Sequence, residues 1–194
     1  MGKVKLKVKR KRNYRIHNDL SNGAFHFKKE LERRLVDGNE SGITYVSMSC
    51  LIMLAFAIEA KINFIGEKCV EGWIERKPFR EKLKQVCKAL EINLDENGLR
   101  QTIYLLNTCR DDVAHGKPIT LSDTYEVIVP QGEEHHPKDL IPKWMEICTA
   151  KKTIGIYADI NDFLQQLLEK SGLGTFDATS NGEFEVGFVE NVES

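Results

Sequence analysis

The chain has 194 residues, of which 41% are hydrophobic and 29% charged, and its 28 Lys and Arg oppose 29 Asp and Glu for a formal net charge of −1. Apolar residues recur periodically and there are only 14 Gly and 5 Pro, which excludes collagen-like, low-complexity and wholly disordered proteins. This length is sufficient for one domain with a hydrophobic core, with or without a short appendage.

The charges are unevenly distributed along the chain. Residues 1–15 carry eight basic side chains and no acid, residues 177–194 carry five acids and no base, and the remaining residues have a net charge of −4. We therefore divide the chain into a basic β strand or tail at 1–15, a helical body at 16–172 and an acidic β strand or tail at 173–194.

Strand periodicity occurs at both ends of the chain. Residues 3–9 alternate Lys with Val or Leu, residues 183–188 alternate apolar with acidic or Gly, and residues 124–129 form a third β-rich run. Opposite charges across a strand pair contribute roughly 0.2–1 kcal/mol each. We expect the two ends to pair in a small sheet that includes residues 124–129 and partly neutralises the lysines.

The body has helical periodicity. Apolar spacing predicts helices near 22–36 and 43–70, a third opened by Pro78, a fourth with Asp95 as N-cap that stops at Gly116, and a last helix at 153–170, with a short turn within 139–149. The predicted fold class is mainly α, an antiparallel helical bundle with a small β-sheet formed by the chain termini and residues 124–129.

The most apolar segment lies at 47–66, where the hydrophobic run is broken by Glu59 and Lys61 before it reaches the ~20 residues that span a bilayer. We interpret it as a core helix and expect no membrane insertion. Five widely separated cysteines without a Cys-x-x-Cys pair indicate reduced core thiols rather than disulfides or a zinc site. With no signal peptide evident, the expected location is the cytoplasm.

One constellation resembles a catalytic site. The end of the fourth predicted helix carries Arg110, Asp111, Asp112, His115 and Lys117 before Pro118. Asp111 and His115 are four residues apart, so the carboxylate can orient the imidazole. Arg110 lies about 140° round the helix from His115, so one copy does not aim both at one point unless the last turn is distorted, whereas two copies about a two-fold axis can unite them.

A purely structural interpretation of these residues is also open. A His in the last turn is favourable to the helix dipole, Asp111 can pair with it or with Arg100, and Gly116 can be an ordinary C-cap.

The string from Arg110 to His115 resembles the ribonuclease motif of the HEPN family (higher eukaryotes and prokaryotes nucleotide-binding), in which an Arg, often followed by a polar residue, precedes a His by four to six intervening residues. Its position late in a bundle helix, after a long apolar helix that contains Phe56 to Lys68, is similar to the family's arrangement. The resemblance covers about residues 22–170. It departs from the family in having Asp111 where an amide is frequent, which leaves the role of Asp111 open.

The resemblance implies a metal-independent endoribonuclease that acts as a homodimer on RNA, leaves 2′,3′-cyclic phosphate ends and needs no cofactor. His115 would transfer protons, Arg110 would hold the phosphate, and Asp111 would orient one of them. By analogy with stand-alone members, the chain would be a toxin or phage-defence effector controlled by an antitoxin or regulatory protein.

Other residues leave alternatives open. Glu59 either pairs with a basic group of the motif or is a satisfied buried carboxylate, and Asp112 and Lys117 are further candidate supporting residues. A loop at 133–136 with two Glu and two His is more typical of a solvated loop than of a metal site, so we expect no metal. Trp73 and Trp144 fit packing anchors, although Trp73 can also stack on a base. The alternative function is a non-catalytic HEPN-like module for dimerisation or partner binding.

Overall fold

The computed structural model describes residues 3–95 and 98–192, with side chains through Glu190. Strand β1 covers Lys3–Asn13 and β2 covers Asn181–Val192. The helices between them are α1 Ile16–Val36, α2 Ile43–Cys69, α3 Phe79–Ala89, α4 Leu99–Ala114, α5 Lys143–Glu146, α6 Ala150–Ser171 and α7 Thr175–Ala178. The prediction of a mainly helical fold with a small sheet from the termini is confirmed.

Helix α2 is the centre of the bundle, because α1, α3, α4 and α6 all pack against it. By length and composition it is the one helix in the described residues that could cross a membrane, with a mean hydropathy of 1.8 in its most apolar window. Its apolar residues pack against these four neighbouring helices, and Leu51, Ile62 and Ile65 are fully buried. This is the position of a core helix, as the break at Glu59 and Lys61 predicts.

Two contacts fix the direction of α1 against α2. The Cys50 thiol donates a hydrogen bond to the Ala24 carbonyl, with 3.3 Å between sulfur and oxygen, and the His17 ring lies 4.9 Å from the Phe64 ring. Early α1 thus meets late α2, so the two helices are antiparallel. The strands emerge beside the C-terminal end of α2, far from its N-terminal end.

The strands form a two-stranded antiparallel ribbon, which we call the terminal ribbon. Its cross-strand ion pairs are Lys5–Glu190 at 2.9 Å, Lys9–Glu185 at 3.4 Å and Lys11–Glu183 at 4.0 Å. At its base, the Arg15 backbone N–H donates to Ser180 Oγ at 2.9 Å. The expected pairing of basic and acidic ends is therefore present.

The expectation that residues 124–129 join the sheet is wrong. They form neither helix nor strand, and Val127 and Ile128 are 48% and 100% exposed. Period-two alternation alone does not make a strand, because a strand also needs a neighbour to exchange backbone hydrogen bonds with, and this segment pairs with no strand among the described residues. It belongs to a connection over residues 116–142 without helix or strand.

Two predicted helix starts also differ from the structure. Helix α1 begins at Ile16 rather than near residue 22, because contacts of His17 and Asn18 with the Ala178 carbonyl hold its first turn. Asp95 does not cap α4; the N-cap is Gly98, whose φ of 74° is a left-handed conformation that glycine adopts readily. The Asp95 carboxylate instead accepts a hydrogen bond from Arg100 at 3.0 Å.

Candidate functional site

Arg110 lies on the face of α4 that meets α2. Its Nη1 donates to Glu59 Oε2 at 2.8 Å and its Nη2 donates to Asn107 Oδ1 at 3.0 Å. The guanidinium carbon lies 5.6 Å from the centre of the Phe56 ring, within the range of a cation–π contact. The guanidinium is thus held in one orientation, with 18% of the side chain exposed.

A second cation shares the Glu59 carboxylate. Lys82 on α3 is 3% exposed, and its Nζ donates to Glu59 Oε1 at 2.7 Å and to Asn63 Oδ1 at 2.9 Å. Burial raises the pKa of Glu59, but the hydrogen bonds and charges of Lys82 and Arg110 outweigh burial and leave it below its ordinary value. Glu59 is therefore a charged bridge that joins α2, α3 and α4.

Asp111 completes the polar cluster from the next position on α4. Its Oδ1 lies 2.8 Å from Arg110 Nε, and its Oδ2 accepts a hydrogen bond from Asn107 Nδ2 at 3.1 Å. Arg110 Nε is buried and not aligned for a hydrogen bond, so its contact with Asp111 is electrostatic. Asn107 thus bonds both Arg110 and Asp111 from the preceding turn.

His115 stands apart from this cluster. It is the C-cap of α4, where its backbone N–H donates to the Asp111 carbonyl at 2.9 Å, and it is exposed. Throughout residues 3–95 and 98–190, no hydrogen bond or ion pair involves its imidazole. The expected contact between the Asp111 carboxylate and the His115 ring is absent, because that carboxylate is turned toward Arg110 and Asn107.

The imidazole borders a cleft of about 990 Å³ at the end of α4. The cleft is lined by residues of α2, α4, α5 and the connection over residues 116–142, including Met48, Asp111, Asp112, His115, Lys117, Lys143 and Trp144. Imidazole can transfer protons, ammonium groups can bind phosphate, and an indole can stack on a base. We call this the His115 cleft, and Arg110 is not among the residues that line it.

The structure thus brings some predicted site residues together and separates others. Glu59 pairs with Arg110 of the motif and also with Lys82 outside it, so both interpretations of this carboxylate stay open, while Asp112 and Lys117 share the cleft with His115. Sequence reasoning missed Asn107 and Lys82. Asn107 precedes Arg110 by three residues and Asp111 by four, a spacing that places all three on one helix face. For Lys82 no local pattern gave a signal.

The remaining candidates have other partners. His135 Nε2 lies 2.8 Å from the Tyr125 hydroxyl, whereas His136 lies 3.8 Å from Glu134. The described part of the chain has no group of three or more His, Cys, Asp or Glu placed to hold a metal ion. Trp73 packs across Gly66, where an added methyl group would meet its ring at 2.5 Å, so Trp73 is a packing residue.

Comparison of the chain with protein-family models, with curated protein sequences and with solved structures finds no match.

Proposed function

We propose that this protein is a metal-independent endoribonuclease that acts as a homodimer through Arg110 and His115, as the resemblance to the HEPN family implies. The observation that carries the proposal is the free imidazole of His115 in one cleft with Lys117, Lys143 and Trp144. These are the groups that RNA cleavage requires for proton transfer, for holding phosphate and for stacking.

The preorganisation of Arg110 supports the same function. Glu59 and Asn107 fix its guanidinium, and a fixed cation stabilises the charge of a pentacoordinate phosphorus better than a mobile one. Because Arg110 and His115 of one chain face different directions, we propose that a second copy about a two-fold axis unites the two pairs. Asp111, which is near Arg110 and also lines the cleft, would lie between them.

The chemistry needs two proton transfers. One His115 takes the proton of the RNA 2′-hydroxyl, the 2′-oxygen then attacks phosphorus, and the bond from phosphorus to the 5′-oxygen breaks. The other His115, protonated, donates its proton to the departing 5′-oxygen. The products are a 2′,3′-cyclic phosphate and a 5′-hydroxyl, and Arg110 offsets the charge of the transition state.

A second candidate is a non-catalytic module that binds a protein partner. The observation in its favour is that two nitrogens of Arg110 already have partners within the chain, Glu59 and Asn107. An arginine in that position has a sufficient structural reason to be present. In this alternative, His115 is an exposed helix cap without a chemical role.

The test is cleavage of end-labelled RNA in excess EDTA by the wild type, His115→Ala and Arg110→Ala, with the ends of the products identified. His26→Ala is the matched control, because His26 is an exposed histidine on α1. We expect cyclic phosphate ends from the wild type and the control, and no cleavage by the two site variants. Folded wild type that cuts none of a panel of RNAs would favour the module.

A cellular role as a toxin or phage-defence effector, restrained by an antitoxin, extends the same proposal. Expression of the wild type in a host cell should slow growth, and His115→Ala should relieve the effect. Equal growth with both forms would contradict the toxin role.

A further inference from the structure

The terminal ribbon has two unlike faces. One face carries Lys5, Lys9 and Lys11 with their glutamate partners. The other face is apolar along most of its length, and its side chains are between 49% and 77% exposed: Val4, Leu6, Val8, Phe184, Val186 and Phe188. We call this second face the apolar face.

The ribbon packs little against the bundle. Strands β1 and β2 contact chiefly each other, and the bundle holds the ribbon at its base through Arg15 and Ser180. A two-stranded ribbon alone in water is marginally stable, and it becomes stable when a further layer covers its apolar face. The exposed apolar face is therefore a candidate contact surface for a further layer.

The charges of the strands argue against association through the ribbon's edges. Two copies joined symmetrically at β1 would place lysine-rich strands side by side, and two joined at β2 would place glutamates side by side. Like charges directly opposite each other destabilise a strand pair. The apolar face also carries Arg10 and Arg12, but a face-to-face contact can place these cations opposite apolar residues of the second copy rather than opposite each other.

We propose that two copies of the protein associate by packing the apolar faces of their terminal ribbons against each other. The two-fold axis lies between the two ribbons at the Val8–Val186 pair and is perpendicular to the strands. The ribbons of the two copies therefore run in opposite directions, which keeps the two bundles at opposite ends. Val8 then faces Val8 of the second copy, and Phe184 faces Phe188 of the second copy. The aliphatic stem of Arg10 lies over Leu6 of the second copy.

The area is sufficient for a stable contact. Burying six exposed side chains of this size removes about 600 Å² per copy, and the ~1,200 Å² of the pair reaches the lower range of specific protein interfaces. The Phe184–Phe188 contact occurs twice by symmetry and adds two aromatic pairs to the interface.

The effect of salt on binding distinguishes a second copy of the protein from other ligands of the apolar face. Seven basic and three acidic residues give the ribbon a net charge of +4, and in the proposed dimer its lysines point away from the contact. Salt screens the repulsion between two such ribbons and leaves apolar burial intact, so it should strengthen the dimer. Salt would instead weaken binding of RNA or of an anionic lipid surface.

The ribbon contact is separate from the proposed nuclease dimer. The ribbon emerges beside Phe64, whereas the His115 cleft includes Met48, and these residues lie about 24 Å apart along α2 at 1.5 Å per residue. A ribbon dimer therefore does not itself bring two His115 clefts together.

The test measures native mass by light scattering across protein and NaCl concentrations for the full chain and for Val8→Glu and Val8→Lys. Lys7→Ala is the matched control, because it changes the ribbon's charge by the same −1 as Val8→Glu but on the opposite face. We expect each Val8 variant to have a lower mass than the wild type at equal concentration, with the dissociation constant of the ribbon contact raised about a hundredfold. Because Val8 faces its own copy, an equimolar mixture of the two variants should recover the wild-type mass.

Other results would overturn the proposal. A wild-type mass unchanged by either Val8 variant would place any dimer elsewhere, and that result leaves the proposed nuclease dimer standing. A wild type that is monomeric at all salt concentrations would exclude the contact. Salt-sensitive binding to anionic vesicles or RNA that Val8→Glu abolishes would assign the apolar face to that ligand instead.

Discussion

Glu59 and Arg110 lie 51 positions apart in the sequence and 2.8 Å apart in the structure, joined between the central helix and the helix that ends in the candidate site. The same carboxylate binds Lys82, so one acid neutralises two cations that are largely removed from water. Removing the Glu59 carboxylate is therefore costly, because both cations then lose their counter-ion.

Replacing Glu59 by Gln should therefore lower the free energy of unfolding by about 3 kcal/mol. Urea titration followed by circular dichroism measures this difference. The matched control is Asp95→Asn, which removes the carboxylate of the exposed Arg100 pair and should cost less than about 1 kcal/mol. Equal effects of the two variants would contradict the role of Glu59 as a bridge.

The two motif residues should differ in their effect on stability. Arg110→Ala removes a cation from Glu59, which keeps Lys82, and it removes a partner of Asn107, so we expect a loss of about 1–3 kcal/mol. His115→Ala should change stability by less than about 0.5 kcal/mol, because its imidazole has no partner in the described structure. Thermal unfolding of both variants checks this contrast. A destabilised His115→Ala would show a contact that this structure lacks.

Gly66 should not tolerate a methyl group. Alanine is normally the better helix former by about 1 kcal/mol, but at Gly66 its Cβ would lie 2.5 Å from the Trp73 ring. We expect Gly66→Ala to destabilise the protein by about 1–3 kcal/mol. The control is Gly155→Ala on α6, where a Cβ meets nothing within 4 Å and the gain in helix propensity should raise stability. Denaturant midpoints compare the two, and stabilisation by both would contradict the packing of Trp73.

His17 should make stability depend on pH. It is 3% exposed and donates from Nε2 to the Ala178 carbonyl at 2.8 Å, and burial, followed by the charge of Lys61, lowers its pKa to about 4. In the unfolded chain His17 has its ordinary pKa of 6.5 and is protonated below that pH, whereas in the folded chain it is protonated only when the pH approaches its lowered pKa of about 4. Stability is therefore lost as the pH falls from about 6.5 to 4, by about 2–3 kcal/mol in total.

Urea midpoints at pH 7 and 4.5 measure that loss. His17→Gln should lose less stability than the wild type over this interval, since its side chain does not titrate. His26→Gln is the control at an exposed position and should follow the wild type. A pH dependence of His17→Gln equal to that of the wild type would rule out His17 as the cause.

Much of the fold could be predicted because helix periodicity is local. The span of α2 follows from its apolar run, and the end of α6 follows from Gly172, whose φ is 66°. The start of α1 could not be predicted this way, because His17 is held by Ala178, which lies 161 positions later. Residues 124–129 show the reverse case, in which a local strand pattern has no partner strand among the described residues.

The candidate site was predictable only in part, for the same reason. Helical spacing identifies the neighbours Asn107, Arg110 and Asp111 in principle, but it does not say which carboxylate orients which group. Asp111 is turned toward Arg110 and not His115, because Asn107 holds it there. Lys82 is joined to the site only by tertiary packing, which brings α3 beside α2.

The terminal ribbon also determines the order in which the molecule can be completed. Within residues 3–192, strand β1 is synthesised before helices α1 to α7, and β2 is synthesised after them. The two strands close a loop of more than 160 residues, which is a slow, non-local step. A folded bundle that still carries an unpaired lysine-rich strand is therefore an expected intermediate of synthesis, and β1 would be the segment most open to chaperones at that stage.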